Sequence, residues 1–224
     1  MKQAIKKYKF AVIATDVVIF TIRENKLQVL LIKMKKVPFT ERWAAPGGLV
    51  KPNESVDGAA KRVLFEKAGV KDVYLEQLYT FGKVDRDPFG RVVSVAYYAL
   101  IPSDGLKLKT TEEYSGITWF PVRELPKLAY DHKEIISVAA KRLQSKLEYS
   151  NIVYSLLPNE FSLTDIQNTY EVILDKKLDK RNFRKKILGL KLVKKTGKKQ
   201  LGLANRPAEM FKFINKEPKI VEIL

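Results

Sequence analysis

The chain has no cysteine and a single histidine, His132. Disulfides, a cysteine nucleophile and cysteine-held zinc or iron–sulfur sites are therefore excluded, and a histidine metal cluster cannot be assembled. The missing disulfides fit a reducing compartment. Long apolar runs are missing as well. The best stretch, residues 11–20, is broken by Asp16 and falls short of the roughly 18 residues of a membrane span. Near the N-terminus Lys2, Lys6, Lys7 and Lys9 are not followed by an uninterrupted apolar core or a small-residue cleavage site. Neither a signal peptide nor a membrane span is expected, and the cytoplasm is the expected location.

Negative charge is also scarce. The 224 residues hold 25 Asp+Glu against 42 Lys+Arg, a net +17. Such an excess points to a polyanionic partner, nucleic acid first and an acidic membrane surface second. Residues 1–148 carry 26 basic and 17 acidic side chains, residues 149–224 carry 16 and 8. Within residues 176–199 there are 12 basic side chains and one acid, Asp179. Solvated faces usually mix signs, and this stretch does not.

The apolar pattern changes near residue 148. Before it, strand-like runs at residues 11–20, 27–32, 73–81, 92–101 and 117–120 are rich in Val, Ile, Tyr and Phe. Helices are expected at residues 55–68, stopped by Gly69, and at about 132–148 with Asp131 as N-cap. The second part reads as mostly helical, followed by two short strands. This divides the chain into domains 1–149 and 150–224.

Within the first domain Gly48, Glu54, Arg62, Leu64, Glu66, Gly69 and Val70 hold a fixed spacing over 23 residues. That spacing resembles the Nudix box. Hydrolases of that family place carboxylates at the positions of Val63, Glu66 and Lys67, one helix face by spacings of three and four. Clustered carboxylates there collect Mg²⁺, which bridges a pyrophosphate and activates water. Here the face reads Val, Glu, Lys. The expectation is loss of catalysis, with no catalytic residue, no resident metal and no cofactor, and at most a weak Mg²⁺ at Glu54 and Glu66. Lys67 would lie where a metal-binding carboxylate belongs, either as a point charge for a phosphate or as a solvated lysine.

The segment 81–100, with Arg86-Asp87-Pro88-Phe89-Gly90-Arg91, and Tyr130-Asp131-His132 resemble Nudix-related transcriptional regulators of the NrtR and AraR type. Two readings of the 86–90 turn stand side by side: a plain hairpin loop, whose turn chemistry accounts for Pro88 and Gly90, or a ligand loop with Arg86 and Arg91 at phosphates or sugar. The candidate effector residues are Glu54, Arg62, Glu66, Lys67, Arg86 and Arg91. His132 reads as structural. Phe39, Trp43, Phe81 and Phe89 could stack on adenine, although core packing accounts for most of them.

In the second domain Ser162 or Thr164 can cap a helix with Ile166, Tyr170, Ile173 and Leu174 on its apolar face. Asp179 caps a second helix. There Phe183, Ile187 and Leu190 must face a core and leave cations outward, against the helix dipole. A strand at 191–195, a turn with Gly197 and Gly202, and a return at 206–213 complete a winged helix. The wing and second helix are similar to those of the same regulators, so the resemblance spans residues 9–214. Lys180, Arg181, Asn182, Arg184, Lys185 and Lys186 form the expected DNA-reading helix. Lys194, Lys195, Lys198, Lys199 and Arg206 are the expected phosphate contacts.

The fold expected is α/β (α+β), a Nudix α/β/α sandwich with a mixed sheet followed by a small winged helix-turn-helix domain. The resemblance implies a ligand-responsive regulator of a double-stranded DNA operator, homodimeric, without a membrane partner. Its small-molecule effector would be ADP-ribose, a nucleotide-sugar compound, or a pentose such as arabinose. The alternative is an active ADP-ribose-type pyrophosphatase carrying a DNA-binding module. An RNA-binding reading lacks an aromatic-glycine stacking strand.

Overall fold

The computed structural model describes residues 10–103, 108, 114–200 and 207–223. Two long strands, β1 (Val12–Arg23) and β2 (Lys26–Met34), form a hairpin whose turn residues Glu24 and Asn25 both have positive φ. That is the geometry of a two-residue connection matched to strand twist. Strands β3 (Trp43–Ala44), β4 (Gly47–Leu49), β5 (Tyr74–Phe81), β6 (Val92–Leu100) and β7 (Tyr114–Pro121) complete a seven-stranded sheet. Its main path runs β3-β2-β1-β6-β5, with β4 on β1 and β7 on β2. The β1–β6 pair is parallel and the other pairs are antiparallel, so the sheet is mixed as expected.

Both faces of the sheet are covered. Val17, Ile19, Tyr97 and Ala99 pack against Ala60, Val63 and Leu64 of α1 (Val56–Ala68). Val18, Phe20, Tyr98 and Leu100 pack with Ile135, Ile136, Ala139 and Leu143 of α2 (His132–Tyr149). This explains why residues 11–20 read as a near-continuous apolar run without being a membrane segment. Each fully buried Ile or Leu of α2 contributes about 1.5–3 kcal/mol by leaving water. Among the described residues no helix is long and apolar enough to cross a membrane.

The caps follow their sequence signals in part. Ser55 accepts from Gly58 N at 3.0 Å, and Gly69 closes α1 at φ 70° with its N–H on Phe65 O. Asp131 does not cap α2 as expected: its side chain makes no cap bond and turns instead to Arg86.

After a 3₁₀ turn (Ile152–Ser155) come β8 (Phe161–Ser162), α3 (Leu163–Leu174), α4 (Lys180–Gly189), β9 (Val193–Lys199) and β10 (Glu209–Phe213). Ser162 and Asp165 form a reciprocal capping box at the start of α3. The three strands order as β8-β10-β9. The wing strand starts two residues later than expected and runs through Gly197, whose φ of 81° accompanies a register shift against β10. The expected turn at Gly202 and the contact at Arg206 lie outside the described residues.

One apolar cluster joins α2 and the sheet to Tyr154, Phe161, Ile166, Tyr170, Phe183, Phe211 and Phe213 of the winged helix. Gln144 Nε2 donates to Ile173 O at 2.9 Å, tying α2 to α3. The chain end returns to α2, with Val221 N on Tyr149 O and Ile223 N on Glu148 O.

Candidate functional site

On α1 the carboxylates expected near a metal are held by an arginine. Arg62 donates through Nε and Nη2 to the two oxygens of Glu54 at 3.0 and 2.7 Å, and through Nη1 to Glu66 at 3.2 Å. A further bond from Nη2 reaches Leu49 O at 3.1 Å. The Arg62 bonds, helped by the Lys51 backbone N–H, pull the Glu54 carboxyl down to about 2. Glu54, Arg62 and Glu66 thus come together as a brace between α1 and the β4 loop.

Val63, Glu66 and Lys67 do not share one exposed face. Val63 is fully buried, its Cγ2 3.8 Å from where a Cβ on Gly48 would stand. Lys67 is 7% exposed, with Nζ 4.4 Å from the centroid of the Tyr114 ring. Glu66 belongs to the neighbouring row, one step around the helix, with Arg62 four residues before it. Among the described residues no group of three or more His, Cys, Asp or Glu could hold a metal. A Mg²⁺ ion needs carboxylate oxygens. A buried valine, a buried ammonium and two carboxylates engaged by arginine do not fit it.

Arg86 lies elsewhere. Its side chain is 3% exposed, and Nε and Nη2 donate to Asp131 Oδ2 and Oδ1 at 2.9 and 2.7 Å. Nη2 also reaches Asp16 Oδ2 at 3.3 Å. Rather than standing at the surface for a phosphate, this arginine is enclosed by carboxylates. Asp16 Oδ2 accepts from Ser94 Oγ at 2.6 Å, and His132 Nε2 lies 3.5 Å from Oδ1. His132 Nδ1 accepts the Ala45 N–H at 2.9 Å, a structural role as expected. Burial raises the Asp16 carboxyl, but His132, Ser94 and Arg86 together outweigh it and leave the pKa lowered. Gly47 is required beside this group, because a methyl there would collide with Asp16 Oδ1. Arg91 Nη1 donates to Gly82 O and Lys83 O at 2.9 and 3.1 Å, bracing the loop before β6.

The six expected effector residues therefore fall in separate places: the α1 brace, Lys67 behind Tyr114, the enclosed Arg86, and Arg91 at a loop base. A cavity of about 230 Å³ opens beside Arg86, with Asp16, Asp87, Tyr130, Gly47 and Gly48 in its walls. Asp16, Asp87, Tyr130 and Gly47 were not among the expected site residues. The signal was present in Asp16, a charge in the middle of an apolar strand. Of the four aromatics, Phe81 is buried, Trp43 packs edge-on to Phe120 and Phe39 meets Tyr130, while Phe89 is exposed.

In the second domain Asp179 Oδ1 accepts from Asn182 N at 2.7 Å and starts α4. Phe183 and Ile187 are buried, Phe183 edge-on to Tyr170. Lys180, Arg181, Asn182, Lys185 and Lys186 are exposed. Arg184 is half-buried, and its Nη2 donates to Thr164 Oγ1 at 2.9 Å. Lys194, Lys195, Lys198 and Lys199 are all exposed on β9. Lys195 pairs with Glu209 at 2.9 Å and Lys198 with Glu160 at 3.0 Å. A cationic helix supported on an apolar seam beside a cationic ribbon is suited to a groove and its phosphates.

Known proteins combine the same parts. The NUDIX domain family matches residues 13–139, and the NrtR DNA-binding winged helix domain matches residues 153–213. The chain is 34% identical over 210 residues to the ADPR responsive transcriptional repressor NtrR of Acinetobacter baylyi, covering 92% of this chain and 83% of that one. Shewanella oneidensis NrtR complexed with a 27mer DNA superposes with a TM-score of 0.80 at 32% identity, over 90% of this chain and 93% of that chain. The NUDIX domain of the same protein complexed with ADP ribose matches with a TM-score of 0.56 at 34% identity, over 63% of this chain and 94% of the other. The chain belongs to the family of Nudix-related transcriptional regulators that join a NUDIX domain to an NrtR-type DNA-binding winged helix.

Proposed function

We propose that this regulator responds to ADP-ribose through a Nudix domain that no longer hydrolyses it. The observation that carries this reading is the α1 face. Val63 is buried behind Gly48, and Lys67 sits against Tyr114 where catalysis needs carboxylates. A domain that binds a pyrophosphate without cleaving it can report the ligand's concentration to a DNA-reading partner. The kinship with an ADP-ribose-responsive repressor supports the choice of effector. No resident metal or cofactor is required. The α1 face also counts against the hydrolase alternative.

The functional unit is a homodimer. One short winged helix offers few base contacts, and two copies reading half-sites supply the rest. Val12 on β1 and Leu49 on β4 stand exposed on the same face of adjoining strands and offer a small apolar surface for pairing. Helix α2 begins at the cavity with His132 and bonds to α3 through Gln144, so it links effector to reader.

The test is fluorescence anisotropy on a duplex selected from a random pool, with and without ADP-ribose, beside a phosphate-release assay with Mg²⁺ or Mn²⁺. Operator affinity that changes with ADP-ribose, without turnover, is expected. Robust turnover abolished by Glu66→Gln would establish the hydrolase alternative. A monomer by light scattering, free and on DNA, would remove the dimer.

A further inference from the structure

The chain crosses between its two domains twice, and both crossings lie at one place. It leaves the first domain through residues 149–151 and returns through residues 217–223, and the two segments are bonded to each other. Val221 N donates to Tyr149 O at 2.9 Å and Asn151 N to Lys219 O at 3.2 Å. The buried Asn151 side chain donates to Glu217 O at 3.0 Å and accepts from Lys219 N at 2.7 Å. Paired crossings at a single point form a pivot, because a rotation there strains no second connection.

Away from the pivot the winged helix rests on the first domain where α3 meets α2, and an open cleft flanks that contact on each side. Both clefts lie at the end of the sheet that carries the β1–β2 turn, on opposite edges. One, of about 500 Å³, separates Leu27 and Pro121 from Asn168 and Val172 of α3. The other, of about 890 Å³, separates Tyr74 and Pro102 from Leu157 and Lys216. The seam between them is apolar, with Leu143 and Leu147 of α2 in one cluster with Ile166 and Tyr170 of α3. Apolar burial is non-directional, and packed helices slide past one another in small steps. The seam therefore holds the domains together without fixing their angle.

Directional bonds cross at the β7 edge. Gln144 Nε2 donates to Ile173 O at 2.9 Å, and Arg123 Nη2 pairs with Asp175 Oδ2 at 2.5 Å. Asp175 ends α3 with φ 55°. Both bonds thus grip the last turn of a helix, where carbonyls have no partner within the helix. Residues 176–179 then lead into α4. Arg123 and Asp175 are both exposed, and an exposed pair adds little to stability. Such a bond selects between poses of similar energy without making either permanent.

We propose that the winged helix rocks on α2 about the paired crossings, closing one cleft as the other opens, and that Arg123–Asp175 is the latch of the pose described here. Arg123 is then a positioning residue outside the DNA-reading surface, and it sets the angle at which α4 meets a duplex. The proposal does not depend on which effector the first domain binds.

The chain has no cysteine of its own, so paired spin labels report each cleft without background. Labels on Asn25→Cys and Lys176→Cys span the β7-edge cleft, and labels on Pro102→Cys and Lys216→Cys span the other. Pulsed electron resonance on the full chain gives both distances. Arg123→Glu should lengthen the first and shorten the second, and the swap Arg123→Glu with Asp175→Arg should restore both. By anisotropy, the ratio of operator to random-DNA affinity should fall at least threefold in Arg123→Glu and return in the swap. A mere loss of positive charge weakens both DNAs alike and leaves that ratio unmoved. Distances unchanged by Arg123→Glu, or both clefts moving in the same sense, overturn the rocking joint. A swap that restores neither distance removes the latch, and moved distances with an unmoved affinity ratio remove its role in reading DNA. None of these results bears on the effector, which the ADP-ribose titration above tests separately.

Discussion

Arg184 donates to Thr164 across 20 residues, and this bond seats α4 on the first turn of α3. Arg181, three residues earlier, is exposed. The two arginines therefore have different work although they lie on one helix. Arg181→Ala should cost about 1–3 kcal/mol on the operator and much less on random DNA. Arg184→Ala should also lower the melting temperature, because it removes a bond that docks the helix. Anisotropy on both duplexes, with thermal unfolding alongside, separates them. Equal losses on both DNAs for Arg181→Ala would end its assignment as a reader.

The wing lysines divide in the same way. Lys195 and Lys198 have acidic partners, Glu209 and Glu160. Among the described residues Lys194 and Lys199 form no ion pair. Lys194→Ala or Lys199→Ala should weaken all duplexes alike and flatten the log–log salt slope by about 0.9 per phosphate contact, doubled in a dimer. Glu160→Gln should do the reverse and tighten random-DNA binding by releasing Lys198. Titrations at several salt concentrations decide both. A steeper slope in either lysine variant contradicts the assignment.

Restoring the α1 carboxylates should not restore an enzyme. Val63 is fully buried against β-sheet residues, so Val63→Glu places a carboxylate in the core. Mutational data put the burial of an unpartnered polar group at about 1–3 kcal/mol, and a charge costs more. The Val63→Glu and Lys67→Glu double variant should melt at a lower temperature and still release no phosphate from ADP-ribose. Turnover by a stably folded double variant would refute this.

The α3–α4 turn should be acid-sensitive. Glu171 accepts from Lys177 Nζ at 2.7 Å, from Leu178 N at 3.1 Å and from Gln167 Nε2 at 3.0 Å. These bonds lower its pKa from 4.5 to about 2, the lysine most of all. A depressed carboxyl stabilises the fold above its unfolded pKa, and that contribution is lost as pH falls from about 4.5 toward 2. Glu171→Gln should melt below the parent chain at pH 7, and the gap should close across that window. A gap constant from pH 7 to pH 2 would rule out the ionised hub.

Local features were readable in advance because each is governed by near neighbours. Ser55, Gly69, Ser162 and Asp179 mark helix ends through bonds to residues three or four away. Phe183 and Ile187 set the buried side of α4 by helical spacing alone. The short strands β3 and β4 escaped notice because two or three residues carry no periodicity. Asp131 has the composition of an N-cap, yet a guanidinium 45 residues away in sequence claims both its oxygens. A charge-assisted bidentate bond outcompetes a single cap bond.

Composition and spacing by themselves determined the two-part architecture, the cationic character of α4 and the presence of Val63 and Lys67 at Nudix-box carboxylate positions. These rest on residue identity at fixed sequence separation. Only the tertiary structure decided which cations are available to a ligand. Arg62 and Arg86 look alike in the sequence, but folding closes one into a brace with Glu54 and buries the other among Asp16 and Asp131. The difference lies in carboxylates brought from distant strands and helices. Once buried, a charge must be compensated by whatever the fold places beside it.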